Sequence, residues 1–197
     1  MEQTIERLRA APSSTNLPLV DERTANAEVR TLFARYRERF ARADLPGIVL
    51  CFATNPALLK GMLTIAENFL FGDSLLGKRH KEMIATYVSR QNACPYCADS
   101  HGAALEAQGV SSELSCALHE GDLNAQLLTE AELALLSFAG EINASSATVT
   151  RDDVESAMRA GWTEAQIAEA VHIAALFAAF NRIANGFGLP SPYPDGL

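Results

Sequence analysis

The chain has 197 residues, 48% of them hydrophobic and 20% charged, the proportions of a protein that buries a core rather than a disordered one. Its 16 basic and 24 acidic residues give a formal net charge of -8, and the densest basic cluster, GKRHK at 77–81, is a helix start rather than a phosphate-binding stripe, so nucleic acid is not an expected partner. No apolar stretch suited to a signal peptide follows the N-terminal MEQTIERLRA, and the longest uninterrupted apolar run, Ile173 to Phe180, falls short of the roughly 18 residues of a membrane span; the expectation is a cytoplasmic chain with no membrane partner.

In chain order, residues 1–20 read as an N-terminal extension, with PSSTNLP (Pro12 to Pro18) a short connection. Val29, Leu32, Phe33, Tyr36 and Phe40 recur at helical spacing, and ADLPG (Ala43 to Gly47) is again a connection. Asn55 and Pro56 supply a cap and a first-turn proline for a helix that runs to Phe71. A further helix covers KRHKEMIATYVSRQ, and Pro95 opens the next. Thr129 with Glu132, Thr150 with Asp153 and Thr163 with Gln166 each have the spacing of a capping box. Gly109, Gly121, Gly161 and Gly186 stand at helix stops. No stretch alternates at period two, which predicts an all-α fold in a single domain spanning 1–197. Ile167 to Phe180 has 12 apolar residues of 14, more than one helix face needs, and this predicts a homo-oligomer that shares the wrapping of that helix.

The chemistry concentrates in NACPYCADSHG, Asn92 to Gly102. In a reducing compartment a close cysteine pair points to metal or redox chemistry rather than to a structural staple. With Pro95 at the first helical position, Cys94 is the cap and Cys97 the third helical residue, so both sulfurs lie at a positive helix end that favours a thiolate. The spacing leaves their Cα atoms about 5–6 Å apart, within disulfide range. His101 follows Cys97 by four residues on the same face, a nucleophile–base arrangement. Glu82 precedes Cys94 by twelve residues; if the chain reverses near Asn92 to Ala93, two antiparallel helices bring Glu82 to His101, with Ala85 and Ser89 small enough to allow close approach.

These residues resemble the AhpD-like alkylhydroperoxidases of the carboxymuconolactone decarboxylase superfamily, whose redox members carry Glu, eleven residues, CxxC, three residues and His, as Glu82, Cys94, Cys97 and His101 do here. LPLVDE, NPALLKG, GWTEAQIAEAV and FNRIANGFGLP resemble its peroxidase-related subfamily over roughly Leu17 to Pro190. In the best-studied branch a second histidine sits between the cysteines, where Tyr96 stands here. The resemblance implies an AhpD-like helical fold and a thiol peroxidase. Cys97 would be the buried residue that attacks a hydroperoxide and becomes a sulfenic acid, and Cys94 would resolve it as a disulfide. A dithiol reductant, lipoyl-linked or thioredoxin-like, would restore the pair, with no haem, flavin or metal cofactor. The alternatives are a general thiol–disulfide oxidoreductase and a non-catalytic protein of the same fold.

CPYC also marks glutaredoxins, but there it follows a β-strand, and a zinc site would need a second paired knuckle that Cys116 and His119 do not make. Cys51 and Cys116 read as buried packing residues, His172 as a core or interface histidine, His80 and His119 as surface residues, Arg182 as structural, and Trp162 as helix-end packing.

Overall fold

The computed structural model describes residues 15–124 and 126–193. Among them the regular structure is helical: α1 (Ala27–Phe40), α2 (Gly47–Phe52), α3 (Pro56–Ile65), α4 (Lys78–Gln91), α5 (Pro95–Glu106), α6 (Ser112–Glu120), α7 (Glu130–Ser145), α8 (Arg151–Arg159) and α9 (Glu164–Phe187). The start signals act as expected. Asn55 accepts hydrogen bonds from the amides of Ala57 and Leu58, and the Thr129, Thr150 and Thr163 capping boxes are all formed. The short helix α2 over GIVLCF has no sequence signal of its own; Pro46 precedes it without a side-chain cap. The helix from Pro56 reaches Leu70 only by switching to a π turn over Ala66–Leu70. The expected stop at Gly186 falls inside α9. The helix ends instead at Gly188, with φ of 69° and the Asn16 backbone nitrogen 3.0 Å from where a Cβ would lie, so only glycine fits. The connection expected from Pro12 lies in part outside the described residues.

Helices α4 and α9 cross the middle of the fold. α4 packs antiparallel on α5 and against α6, α7 and α9, while α9 touches α2, α4, α5, α7 and α8. The larger core fills this assembly with Met83, Ile84, Leu105, Leu118, Leu136, Ile173 and Phe177. A second core under α1 to α3 is built on Phe33, Val49, Leu59 and Leu63. Between the two lies a small cluster of Cys51, Cys94, Tyr96, Cys97, Ala184 and Leu189, and it is this cluster that the two larger cores hold in place. α9 is long and apolar enough, by length and composition, to cross a membrane; here its inward face of Ile167, Ala170, Ile173, Ala174, Phe177, Asn181 and Ala184 is spent on the helices around it.

One member of the basic cluster is internal. Lys81 is 2% exposed, and its Nζ donates to the carbonyls of Phe69 (2.6 Å) and Gly72 (3.0 Å) while lying over the Phe69 ring. Burial lowers its pKa from the usual lysine value. It closes the π turn onto α4 by satisfying carbonyls that would otherwise be left buried. Lys81→Met is therefore expected to lower stability by about 2 kcal/mol, read as a fall in the urea midpoint, whereas Lys78→Ala on the exposed start of α4 should leave the midpoint nearly unchanged.

Candidate active site

The site is made by the turn between α4 and α5. α4 ends at Gln91, Ala93 takes a left-handed conformation (φ 48°), and the Cys94 amide bonds back to the Ser89 carbonyl at 3.0 Å. Pro95 then starts α5 with Cys94 as its cap residue. The turn is tied down by amides: Asn185 donates to the carbonyls of Asn92 (3.2 Å) and Ala93 (3.3 Å), and Asn92 donates to Asn143 (2.8 Å) and Asn181 (2.9 Å). The chain reversal brings the expected residues together. Glu82, on α4 and 6% exposed, places Oε2 2.5 Å from His101 Nδ1 on α5. Phe177 meets the imidazole edge-on, ring centroids 4.6 Å apart, and fixes its plane. With Nδ1 engaged by the carboxylate, Nε2 is the nitrogen left for proton exchange.

Both sulfurs are nearly inaccessible, Cys94 at 1% and Cys97 at 4% exposure, so burial alone does not distinguish them. Their protonation does. The Cys97 thiol donates to Cys94, and the Cys97 amide, the Asn181 side chain and the charge on His101 add to it; together they hold Cys94 below the usual thiol range in spite of its burial. The same hydrogen bond to Cys94, followed by burial, pushes Cys97 well above that range. Within the pair the negative charge is thus favoured on Cys94 and the proton on Cys97. Surroundings also separate the two. Cys97 and His101 line an apolar cavity of about 220 Å³ with Tyr36, Met62, Leu70, Phe177 and Phe180, whereas Cys94 lines another of about 180 Å³ with Arg90, Ala98 and His119.

Several residues read as unremarkable in the sequence belong to this neighbourhood. Asn181 is fully buried, donates to Ser89 Oγ (2.9 Å) and acts on both sulfurs; its signal was an amide four residues after Phe177 on the inward face of an otherwise apolar helix. Tyr96 accepts a hydrogen bond from the Ile48 amide (3.2 Å), so it anchors α2, and burial pushes its phenol up to about 12. His119 is not simply a surface residue: its Nε2 lies 2.5 Å from Asp99 Oδ1. His80 is half-buried with its ring against Trp162, and Cys116 is exposed rather than packed, because it lies on the outer face of α6. Cys51 is buried beside the pair, its thiol pushed up to about 11 by desolvation. Among the described residues no group of three or more His, Cys, Asp or Glu side chains is placed to hold a metal ion.

Comparison with known proteins agrees with this fold. Residues 56–147, which carry Glu82, both cysteines and His101, match the model of the carboxymuconolactone decarboxylase family. No curated protein matches the chain. Among solved structures, a peroxidase-related protein from Silicibacter sp. TM1040 is 25% identical, with 92% of each chain covered and a TM-score of 0.76. The alkylhydroperoxidase AhpD core of a peroxidase-related protein from Ralstonia eutropha JMP134 is 24% identical, with 92% of this chain and 94% of that one covered and a TM-score of 0.81. The debrominase Bmp8 has the same fold at 20% identity, with a TM-score of 0.66 over 93% of this chain and 91% of its own. Fold and family match agree: the chain has the AhpD-like helical fold, and its residues 56–147 are similar to the carboxymuconolactone decarboxylase family.

Proposed function

We propose that the protein is a thiol-dependent peroxidase that reduces organic hydroperoxides through a dithiol/disulfide cycle of Cys94 and Cys97. The observation that carries this reading is the position of Cys97: it lines an apolar cavity together with His101, whose other ring nitrogen is held by Glu82. In the reaction the Cys97 proton passes to the Cys94 thiolate that already accepts its hydrogen bond, and the Cys97 sulfur attacks the terminal peroxide oxygen. The O–O bond breaks, the departing alkoxide takes a proton from His101, and the products are an alcohol and a sulfenic acid on Cys97. Cys94 then gives up its proton to His101 and attacks the Cys97 sulfur; the S–S bond forms, and the hydroxide expelled leaves as water with that proton. Aliphatic and aromatic walls favour a peroxide with an apolar body over hydrogen peroxide. A dithiol donor, lipoyl-linked or thioredoxin-like, returns the pair to its reduced form. The fold by itself does not select the oxidant, since it also carries a debrominase.

The roles are separable. Cys97→Ser should abolish peroxide consumption, whereas Cys94→Ser should allow one stoichiometric oxidation, trapped as a dimedone adduct on Cys97, with no turnover. An exchange of the two phenotypes would give Cys94 the attacking role. Consumption of no hydroperoxide by wild-type protein whose disulfide still exchanges with thiols would favour the general oxidoreductase.

Glu82→Gln removes the charge that balances a protonated His101 while keeping the side chain's shape. Peroxide reactivity at pH 7 is expected to fall about tenfold relative to wild type, equivalent to about 1.4 kcal/mol, and the deficit is expected to shrink toward about pH 5.5, where the imidazole is protonated without the carboxylate. Stopped-flow oxidation of both proteins at the two pH values checks this. A wild-type rate at pH 7, or an unchanged deficit at about pH 5.5, would remove Glu82 from the relay.

A homo-oligomer is proposed as well, supported by exposed Leu58 and Ile65 on α3, by Phe71 and Leu75 just after it, and by the exposed Ala168, Ala175 and Ala179 along α9. Light scattering on dilute protein should give a multiple of 21.2 kDa; a mass equal to one chain would refute it.

A further inference from the structure

Two carboxylate–histidine pairs flank the cysteines, and the proposed peroxidase step uses only one. Glu82–His101 serves the cavity at Cys97. The other pair, Asp99–His119, stands at the separate cavity that Cys94 lines, on a different face of α5. Asp99 is 7% exposed and fully engaged: Oδ1 bonds His119 Nε2 at 2.5 Å, and Ser191 Oγ donates to Oδ2. A buried carboxylate held at both oxygens fixes the plane and tautomer of the imidazole it touches, and here it leaves Nδ1 of His119 as the nitrogen that can take a proton. Arg90 contributes an exposed cation to the same cavity and forms no ion pair among the described residues, a setting that favours an anionic sulfur. The cavity, about 180 Å³, suits a small dithiol or the tip of a dithiol arm.

We propose that this cavity admits the reductant and that His119, positioned by Asp99, ionises the incoming thiol. The inference rests on the reading of Cys94 and Cys97 as a redox couple, though not on the identity of the oxidant. His119 takes the proton of the first thiol, and the resulting thiolate attacks Cys94. A donor–Cys94 disulfide forms as the Cys94–Cys97 bond breaks, and Cys97 leaves as a thiolate that is protonated from His101. The donor's second thiol loses its proton to solvent and attacks the donor sulfur of the mixed disulfide, so that Cys94 departs as its favoured thiolate and the donor is released as an oxidised disulfide. Two electrons pass from dithiol to protein. Oxidant and reductant thus use different entrances to one sulfur pair, each with its own histidine.

The test separates the half-reactions. Protein oxidised to the intramolecular disulfide with diamide is reduced by dithiothreitol in a stopped-flow mixer, with thiols counted by mass after acid quenching. Oxidation of the reduced protein by cumene hydroperoxide is followed separately. His119→Gln is expected to slow dithiothreitol reduction about tenfold at pH 7 and to approach the wild-type rate near pH 9, where the donor thiol ionises unaided, while peroxide oxidation stays within about twofold of wild type. Asp99→Asn should give the same pH-dependent defect, because it acts through the imidazole. Wild-type reduction rates at pH 7 in His119→Gln, a defect unchanged at pH 9, or an equal loss in both half-reactions would overturn the proposal. If wild-type protein is inert to peroxide but its diamide-formed disulfide shows the His119 dependence, the peroxidase reading fails and this one stands.

Discussion

Everything at the site depends on how tightly α4 turns into α5. A left-handed alanine at that turn costs about 1–2 kcal/mol relative to ordinary backbone, and glycine, which would remove the cost, is not used. What offsets it is the set of amides from α7 and α9: Asn185 on the turn carbonyls, with Asn143 and Asn181 on Asn92. The same turn aligns α4 antiparallel to α5, which is why a carboxylate twelve positions before the first cysteine meets a histidine beyond the second. Asn181 joins the two levels. It holds the turn through Asn92 and Ser89, and it also acts on both sulfurs, so one buried amide contributes both to the geometry of the backbone and to the electrostatics of the thiols.

The helical architecture and the four-residue motif were legible in the sequence because their determinants are local. Threonine caps three residues before an acid or amide, a proline at a helix start and apolar recurrence all act within one or two turns, and the structure places helices where they indicate. The Glu82–His101 contact was legible for a different reason: the proline after Cys94 forces a break, and small residues on α4 permit the approach. What was not legible required the third dimension. His119 and Asp99 are twenty residues apart on successive helices, and nothing in LSCALHE points its histidine toward a buried acid. Cys116, surrounded by apolar letters, sits on the outer face of a short helix, whereas Cys51 in a similar setting is enclosed. Helix phase decides between them, and over nine residues the phase is weakly constrained. Gly186 and Gly188 were likewise indistinguishable as stops until the close approach of Asn16 selected the second.

The two cores hold the cysteine pair in a defined geometry. Phe33, Leu59 and Leu63 on one side and Met83, Ile84 and Ile173 on the other pin α2, α4, α5 and α9 around a cluster of six small to medium side chains. Tyr96 bridges the cores, its ring in the cysteine cluster and its hydroxyl on the α2 backbone. In this chain the residue between the cysteines therefore serves as a strut.

The near-complete burial of both sulfurs also acts as a size filter. Thiol–disulfide exchange requires the incoming sulfur to approach along the S–S axis, and with 1% and 4% of the two cysteines exposed a bulky thiol has no unobstructed line to either one. Under the proposed cycle, a sulfur carried on a slender, extended stem would reach Cys94 through its cavity more readily than a cysteine embedded in a rounded protein surface. A couple cycling as proposed would thereby be insulated from the surrounding thiol pool and would follow the donor shaped to reach it.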